Sequence, residues 1–388
     1  MTSDPIDWNE DVKTNPEQEY RALLKSLRRT RNFGLFFVQC SPVEGERLIQ
    51  RIRSDLPQKQ TEVLTLTATV TNLYDEVDAL PNKDQIEILF IQGLEHSLYD
   101  YEQERLWHEP EQRYSYDESG VPKLLAHLNL SRERFREHFQ MCFVFLVPLF
   151  ALKYLMRRAP DFFDWRSSVL EFAMDAERVE QESQRLRLKG DYGRYQTWTP
   201  QQRNVRILEI QSLLEEPQQT LERKADLLVK QGTLFAACQN YSASIASYDQ
   251  AVAINPDLHQ AWNNRGLSLY ILSRSEEALA SYDQAVAISP DSHHAWNNRG
   301  NALDDLGQKE AAIASYEKAL AIKPDYHEAW YNKALCYARW GNLKESLENL
   351  QQAIELNPGY GETAKTAAGF DGIRQEVRFQ ALLGGKGE

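Results

Sequence analysis

The 388-residue chain is predicted to combine an α/β domain with an all-α domain. Short apolar segments alternate with helical segments over the first 172 residues, a pattern typical of a mostly parallel sheet with helices on its faces. Farther along, prolines recur every 34 residues, and each closes a copy of one sequence phrase: Pro256, Pro290, Pro324 and Pro358. A fixed period of this size indicates stacked helical repeats. The predicted boundaries are a sheet domain at 1–172, a helical connector at 173–224, four repeats at 225–360, and a capping helix and tail at 361–388.

Composition and charge narrow the class of function. The contents of 42% hydrophobic and 26% charged residues are ordinary for a globular protein, and the net charge of −13 disfavours nucleic-acid or anionic-membrane binding. The first seven residues lack the features of a signal peptide, and the apolar stretch Met141–Leu152 is too short to span a bilayer. The four cysteines are scattered, which argues against disulfides and zinc. We expect a cytoplasmic protein without metal or cofactor.

Four strands are predicted in the sheet domain from apolar runs rich in branched and aromatic residues. They are Phe33–Gln39, Glu62–Thr67, Ile86–Ile91 and Cys142–Val147. Helices are predicted at 17–31, 45–54 and 131–139, and Met141–Leu152 is interpreted as a buried strand followed by its exit loop. This order of elements favours a parallel sheet.

The turn after the first strand is where such a sheet usually binds phosphate. A phosphate-binding P-loop needs Gly-x-x-x-x-Gly-Lys-[Ser/Thr], because glycines expose backbone N–H groups and the lysine neutralises charge. Here only Gly45 matches, Glu46 stands where the lysine belongs, and Arg47 replaces the hydroxyl residue. At the end of the third strand Gln92 replaces the magnesium-binding acid, and Glu95 is a candidate second acid. These replacements predict a site without nucleotide hydrolysis, since a carboxylate beside a triphosphate repels it.

The layout of residues 20–172 resembles the P-loop domains of the AAA and STAND classes, in the degenerate form found ahead of repeat arrays in some bacterial proteins. The segment 88–95 and the run 146–167 carry this resemblance. It implies a P-loop-like, NTPase-type fold that has lost its catalytic motifs and serves docking or assembly. The alternative is a nucleotide-gated STAND-type switch, which requires nucleotide binding despite Glu46 and Gln92.

The connector is predicted to consist of two helices. Residues 171–189 are heavily charged, which is typical of a solvated or domain-bridging helix, and residues 190–193 break it. Thr199 and Pro200 then begin a second helix as N-cap and first residue. Ile207, Ile210 and Leu214 follow with the spacing of one helical face, which we expect to pack against the first repeat.

The repeats align as 225–258, 259–292, 293–326 and 327–360. Side-chain size is fixed by position: a large residue, a small residue four places later, and an aromatic or leucine on the second helix. The three sets are Leu228, Trp262, Trp296 and Trp330; Gly232, Gly266, Gly300 and Ala334; Tyr248, Tyr282, Tyr316 and Leu350. This pattern resembles the tetratricopeptide (TPR) repeat, which implies a right-handed α-solenoid whose first helices line a peptide-binding concave groove.

Candidate groove residues lie two places after each tryptophan, at Asn264, Asn298 and Asn332, with Lys230 in the first unit. An asparagine amide both donates and accepts hydrogen bonds, so a row of them can bind a peptide backbone. The row resembles the asparagine ladder of peptide-binding sugar transferases; the alternative is that these residues stay solvated. The predicted polar lining also includes Asn263, Asn297, Asn301 and Tyr331.

The sequence shows no catalytic grouping and therefore favours a non-enzymatic adaptor or scaffold that binds another protein or an extended peptide, with self-association possible. Residues 225–360 carry 10 basic and 16 acidic residues, a net charge of −6, which favours a basic or neutral peptide over an acidic one.

Overall fold

The computed structural model describes residues 15–99, 122–188 and 191–384. These residues form two compact units: those up to Leu188 together with Trp198–Gln219 make the first, and the remainder make the second. The segment assigned to a separate connector is thus divided between the two units. The first seven residues, where no signal peptide is expected, and the predicted helix break at Gly190 lie outside the described residues.

The first unit alternates strands and helices as the sequence predicts. Its elements are α1 (Pro16–Arg29), β1 (Gly34–Cys40), α2 (Pro42–Asp55), β2 (Thr61–Thr65), α3 (Leu73–Asp78), a 3₁₀ turn (Lys83–Gln85), β3 (Ile88–Gln92), α4 (Lys123–His138), β4 (Cys142–Val147), α5 (Leu149–Arg158), α6 (Pro160–Phe163), β5 (Ser168–Phe172), α7 (Ala176–Leu188) and α9 (Pro200–Leu214).

The strands form one parallel sheet in the order β2-β3-β4-β1-β5. β1 lies between β4 and β5, with Gly34 opposite Cys142 and Phe36 opposite Ser168. The four predicted strands are confirmed, shifted by no more than a few residues. β5 was missed because this edge strand buries only alternate residues, whereas the central β4 is buried throughout.

Helices cover both faces of the sheet. Side chains alternate along β1, so Phe36 and Val38 pack with α1 and α2, while Leu35 and Phe37 pack with α3 to α6. The helix after β1 and the helix after β4 therefore lie on opposite faces, although the two strands are neighbours.

Three predicted boundaries are corrected. Helix α5 begins immediately after Pro148, where an exit loop was expected, and α4 begins at Lys123 rather than at residue 131. The charged connector helix begins at Ala176 rather than 171, because Glu171 belongs to β5. It is also only partly solvated, since it buries Val179, Ser183 and Leu186.

Helix α9 begins as the sequence predicts. Thr199 is its N-cap in a capping box with Gln202, and Pro200 is its first residue. The helix buries Ile207, Leu208, Ile210 and Leu213, whereas Leu214 is half-buried.

The described residues of the second unit form helices joined by short turns. A short helix α8 (Tyr192–Gln196) belongs to it, followed by four helical hairpins: α10 (Leu221–Ala237) with α11 (Tyr241–Ile254), α12 (His259–Ile271) with α13 (Ser275–Ile288), α14 (His293–Asp305) with α15 (Lys309–Ile322), and α16 (His327–Trp340) with α17 (Leu343–Leu356). The predicted single capping helix is instead three short pieces: α18 (Gly359–Thr366), a 3₁₀ segment (Ala368–Ile373) and α19 (Val377–Leu383).

The cap covers the apolar end of the last hairpin. Phe370, Ile373 and Phe379 pack in one core cluster with Ala334 and Leu350. Val377, expected among the apolar contacts, is instead 79% exposed.

Candidate functional site

The predicted phosphate turn is too short to surround a phosphate. Ser41 alone joins the end of β1 to the start of α2, where its hydroxyl accepts a hydrogen bond from the N–H of Glu44 at 3.3 Å. Gly45 is buried within the helix, and its N–H donates to the carbonyl of Ser41 at 2.9 Å. The backbone donors that a P-loop would direct at phosphate therefore serve the helix.

The other residues of the predicted degenerate nucleotide site differ in exposure and in hydrogen-bond partners. Glu46 and Arg47 are exposed on α2, and Arg47 forms an ion pair with Glu44 at 3.3 Å. The amide of Gln92 donates to the hydroxyl of Thr65 at 2.9 Å. Glu95 is buried, and burial raises its pKa to about 7.

The crevice at the carboxyl end of the sheet is filled by the chain itself. Parallel sheets bind ligands where successive helices leave to opposite faces, which here is between β1 and β4. Ser212, Glu215 and Glu216, at the end of α9, lie there, and the remaining cavity is about 20 Å³. A volume of this size holds about one water molecule.

Carboxylates dominate that crevice. Glu216 accepts a hydrogen bond from the backbone N–H of Met174 at 3.0 Å. Burial raises the pKa of Glu216 to about 7, with a further contribution from Glu44, Glu171 and Glu215. Glu215 and Glu216, from the segment predicted as a connector, thus occupy the crevice. The sequence analysis did not predict this position for them.

In the second unit, each of the first three hairpins closes on a glycine–tyrosine contact. A Cβ added to Gly232, Gly266 or Gly300 would lie 2.7, 2.6 or 2.5 Å from the ring of Tyr248, Tyr282 or Tyr316. The fourth hairpin has Ala334 and Leu350 at these positions. The size pattern in the sequence therefore corresponds to one close helix crossing repeated along the array.

The prolines take part in fastening consecutive hairpins. The indole Nε1 of Trp262, Trp296 and Trp330 donates to the carbonyl of Pro256, Pro290 and Pro324 at 2.8, 2.8 and 2.9 Å. Ion pairs then join each first helix to the preceding second helix: Arg265–Asp249 at 2.6 Å, Arg299–Asp283 at 2.7 Å and Lys333–Glu317 at 3.0 Å.

The predicted asparagine row takes part in side-chain hydrogen bonds between neighbouring repeats. Asn298 donates to Oδ1 of Asn263, and Asn332 donates to Oδ1 of Asn297, both at 3.1 Å. Asn263 also donates to Oδ1 of Asn264 at 3.3 Å. Asn264, Asn298 and Asn332 are each half-buried. These amides are therefore held in place rather than simply solvated.

The remaining predicted lining residues differ in exposure. Lys230 is half-buried on α10. Asn297 is buried, and Asn301 accepts a hydrogen bond from the hydroxyl of Tyr316 at 2.8 Å. Tyr331 is buried and stacks on Tyr360 with ring centroids 4.4 Å apart, within the cluster that includes the cap. Its side chain contributes to packing at the end of the array, so it is not an open part of the lining.

An apolar patch on α12 was not foreseen. Leu267 and Ile271 are 41% and 45% exposed and lie one and two turns beyond Asn263, so the three residues share one helical face. We call this the groove face: the side of α12, α14 and α16 that carries Asn263, Asn264, Leu267, Ile271 and their counterparts 34 residues apart. Exposed aliphatic side chains adjacent on a helix provide apolar area for a partner.

A charged network lies farther along the same helices. The carboxylate of Asp304 is almost fully buried and contacts Lys309 and Arg339, each at 2.5 Å. Arg339 also lies 3.6 Å from Asp305, whose hydrogen bond to Tyr270 contributes, after burial, to raising the pKa of that phenol. The 34-residue period places Asp305 and Arg339 at equivalent positions of consecutive repeats, a signal that could have identified them from sequence.

Comparison with protein families agrees with this geometry. A sequence model of the tetratricopeptide repeat matches residues 294–326 and again 327–360, and a second model of the same description matches 229–293. The repeats are tetratricopeptide repeats. The TPR models begin at residue 229, and no curated protein matches the chain.

Solved structures of other proteins resemble part of the chain. A crystal structure of MamA protein is 19% identical with a TM-score of 0.38, covering 48% of this chain and 94% of its own. MamA 41-end from Desulfovibrio magneticus RS-1 is 19% identical with a TM-score of 0.40, covering 47% and 96%. YrrB, described as a TPR protein with an unusual peptide-binding site, is 20% identical with a TM-score of 0.38, covering 43% and 84%.

Within residues 15–99, 122–188 and 191–384, no group of three or more His, Cys, Asp or Glu side chains is placed to hold a metal ion. No helix of the described chain, TPR helices included, has the length and apolar character that crossing a bilayer requires.

Proposed function

We propose that this protein is a non-enzymatic scaffold whose TPR units bind a partner polypeptide in extended form along the groove face. The observation that carries the proposal is a pair of asparagine hydrogen bonds between repeats, donated by Asn298 to Asn263 and by Asn332 to Asn297. Each bond fixes the orientation of one half-buried amide. In the described part of the chain, Oδ1 of Asn298 and of Asn332 accepts no hydrogen bond, so both can accept from a peptide N–H.

Fixed acceptors favour binding because less side-chain freedom is lost when a partner arrives. Asn298 and Asn332 are one repeat apart, so their side-chain oxygens recur at a regular interval along the array. The N–H groups of an extended peptide backbone also recur at a regular interval. Main-chain hydrogen bonding supplies affinity without reading the partner's side chains.

The apolar patch supplies selectivity in this proposal. Leu267 and Ile271 expose nearly half of their surface, and covering them with a partner's aliphatic or aromatic side chain removes that area from water. The net charge of −6 over 225–360 favours partners that are neutral or basic.

For the first unit we propose a degenerate P-loop-like domain that docks or assembles without nucleotide turnover. The one-residue connection at Ser41, the small cavity of about 20 Å³ and the acidic crevice support this reading. The alternative, a nucleotide-gated switch, requires the end of α9 to leave the crevice before nucleotide can enter.

The test of groove binding starts from a selected ligand. Random 12-residue peptides displayed on phage are selected on the purified protein, and the dissociation constant of an enriched peptide is measured by fluorescence anisotropy. We expect Asn298→Ala with Asn332→Ala to weaken binding about tenfold, since each change removes one hydrogen bond of about 0.5–1.5 kcal/mol.

A matched control separates binding from stability. Both asparagines also bond between units, so the double variant is expected to lose about 1–2 kcal/mol of unfolding free energy, and binding is therefore measured well below its melting temperature. Gln284→Ala removes an exposed amide from a second helix, α13, and should leave affinity unchanged. Unchanged affinity in the asparagine double variant would refute backbone recognition by this row.

A further inference from the structure

Helix α1 is basic although the protein is acidic. Residues 16–31 contain five lysines and arginines against two glutamates, whereas the whole chain has a net charge of −13. The helix buries Tyr20, Leu23, Leu24 and Leu27 against the sheet. The opposite face of the helix is therefore exposed to solvent.

That exposed side carries a row of cations. Arg21, Lys25, Arg28 and Arg29 are all exposed and follow the spacing i, i+4, i+7, i+8. Over eight residues an α-helix rises about 12 Å, so the four charges form a continuous stripe about 12 Å long. We call this the basic stripe.

The basic stripe borders a surface cavity of the first unit, about 360 Å³ in volume. Its opposite wall is Arg51 of α2, whose guanidinium lies 3.6 Å from the centre of the Tyr20 ring and hydrogen-bonds to Glu17 at 2.7 Å. The hydroxyl of Tyr20 in turn donates to Asp55 at 2.6 Å. Arg51 is thus held in one orientation at the edge of the cavity.

Carboxylates of the described residues do not neutralise the positive charge of this cavity. Its two carboxylates are already engaged, Glu17 with Arg21 and Arg51, and Asp55 with Tyr20. Within the described residues, Lys25 and Arg29 form no ion pair or hydrogen bond with any carboxylate. Two exposed cations without partners beside a fixed guanidinium provide an anion-binding surface.

We propose that the basic stripe and its cavity bind an acidic segment of a partner protein, about four residues long in extended form. The length follows from the 12 Å stripe and about 3.3 Å per extended residue. Carboxylates of the segment pair with Lys25 and Arg29, while Arg28 and Arg51 bound the site. This surface is separate from the groove face, so the scaffold has two binding surfaces of opposite charge preference.

Other anionic partners fit less well. A nucleic-acid strand longer than the stripe would extend over an otherwise acidic protein, whose net charge repels phosphates. A membrane-binding helix needs exposed apolar side chains, and no large apolar residue of α1 is exposed. A short carboxylate segment matches both the limited length and the polar surface.

The experiment uses the full-length protein and fluorescein-labelled hexaglutamate, with anisotropy measured at 50 and 300 mM NaCl. We expect saturable binding at the lower salt that weakens at the higher salt. Lys25→Glu with Arg29→Glu should weaken it at least tenfold, because two attractions become repulsions. Lys318→Glu with Lys344→Glu, both exposed and in the TPR units, changes net charge equally and should retain binding.

Three results would overturn the proposal: no binding of hexaglutamate, equal loss in both double variants, or stronger binding of a thymidine hexanucleotide or of phosphatidylserine-containing vesicles than of hexaglutamate. The first two would remove the site, and the third would reassign it to another class of partner. None of them affects binding at the groove face, because Asn298 and Asn332 remain intact in every variant.

Discussion

Replacing Gly300 by alanine is the sharpest test of how the TPR hairpins are built. The new Cβ would lie 2.5 Å from Cε1 of Tyr316, a distance that real Cβ atoms essentially never show. The ring cannot easily move away, because Tyr316 is 1% exposed and its hydroxyl donates to Asn301 at 2.8 Å. The two helices must therefore separate, or the ring must leave its position.

Two opposing terms set the magnitude. Alanine stabilises a helix relative to glycine by about 1 kcal/mol. Overpacking a close-packed core typically costs about 1–3 kcal/mol, and a contact of 2.5 Å with a buried ring belongs at the upper end. We expect a net loss of about 2 kcal/mol in the free energy of unfolding.

The fourth hairpin suggests the compensating change, since it has Ala334 and Leu350 at the same positions. Gly300→Ala combined with Tyr316→Leu should be more stable than the sum of the two single losses predicts, by about 1 kcal/mol or more. Gly361→Ala is the control, because its added Cβ would have its nearest neighbour, Ile354, at 4.0 Å, and it should be neutral or slightly stabilising.

The assay is urea unfolding followed by circular dichroism, with hydrogen exchange of peptides from α14 and α15 to locate the loss. Hydrogen exchange matters because repeat arrays open locally and the chain contains two compact units. Wild-type or higher stability of Gly300→Ala, or full additivity in the double variant, would refute the close crossing as the origin of the glycine–tyrosine pattern.

Two further predictions concern the first unit. Calorimetric titration with magnesium ATP or GTP at millimolar concentration should give no binding heat, because carboxylates and the end of α9 fill the crevice. Nucleotide binding that becomes stronger when Glu216 is changed to glutamine would instead favour the nucleotide-gated switch. Stability should also fall as pH rises. Burial raises the pKa of both Glu95 and Glu216 to about 7, so their contribution is complete below the unfolded pKa of about 4.3 and is lost as pH rises towards 7. Thermal unfolding between pH 5 and 8 measures this, and Glu95→Gln with Glu216→Gln should flatten the slope; an unchanged slope would contradict it.

The repeats could be predicted from sequence because each key position occurs in four copies, which can be compared with one another. Tryptophan, glycine and tyrosine recur at one spacing, and each has a size requirement that a single helix crossing imposes. The buried strands were also predictable, since β1 and β4 are nearly continuous apolar runs.

What could not be predicted depends on tertiary contacts between distant segments. Glu216 carries no local sign that it lies at the carboxyl edge of a sheet whose first strand ends at Cys40. Tyr331 occupies the register of Asn263 and Asn297, yet its ring stacks on Tyr360 and packs with the cap, because the array ends there. Periodicity describes an interior repeat and does not describe its boundary.

The indole–proline and arginine–aspartate contacts all join a repeat to its immediate neighbour and reach no farther. A block such as residues 293–326 therefore has Trp296 near its start, which bonds to the preceding repeat, and Pro324 near its end, which accepts a bond from the following repeat. The start of one copy of the block could thus bond to the end of another copy. Tandem duplication of that block would supply matching junctions without any other change in the protein. The array is thus suited to growth by unequal recombination in steps of one unit, which would lengthen its binding surface while leaving every existing contact intact.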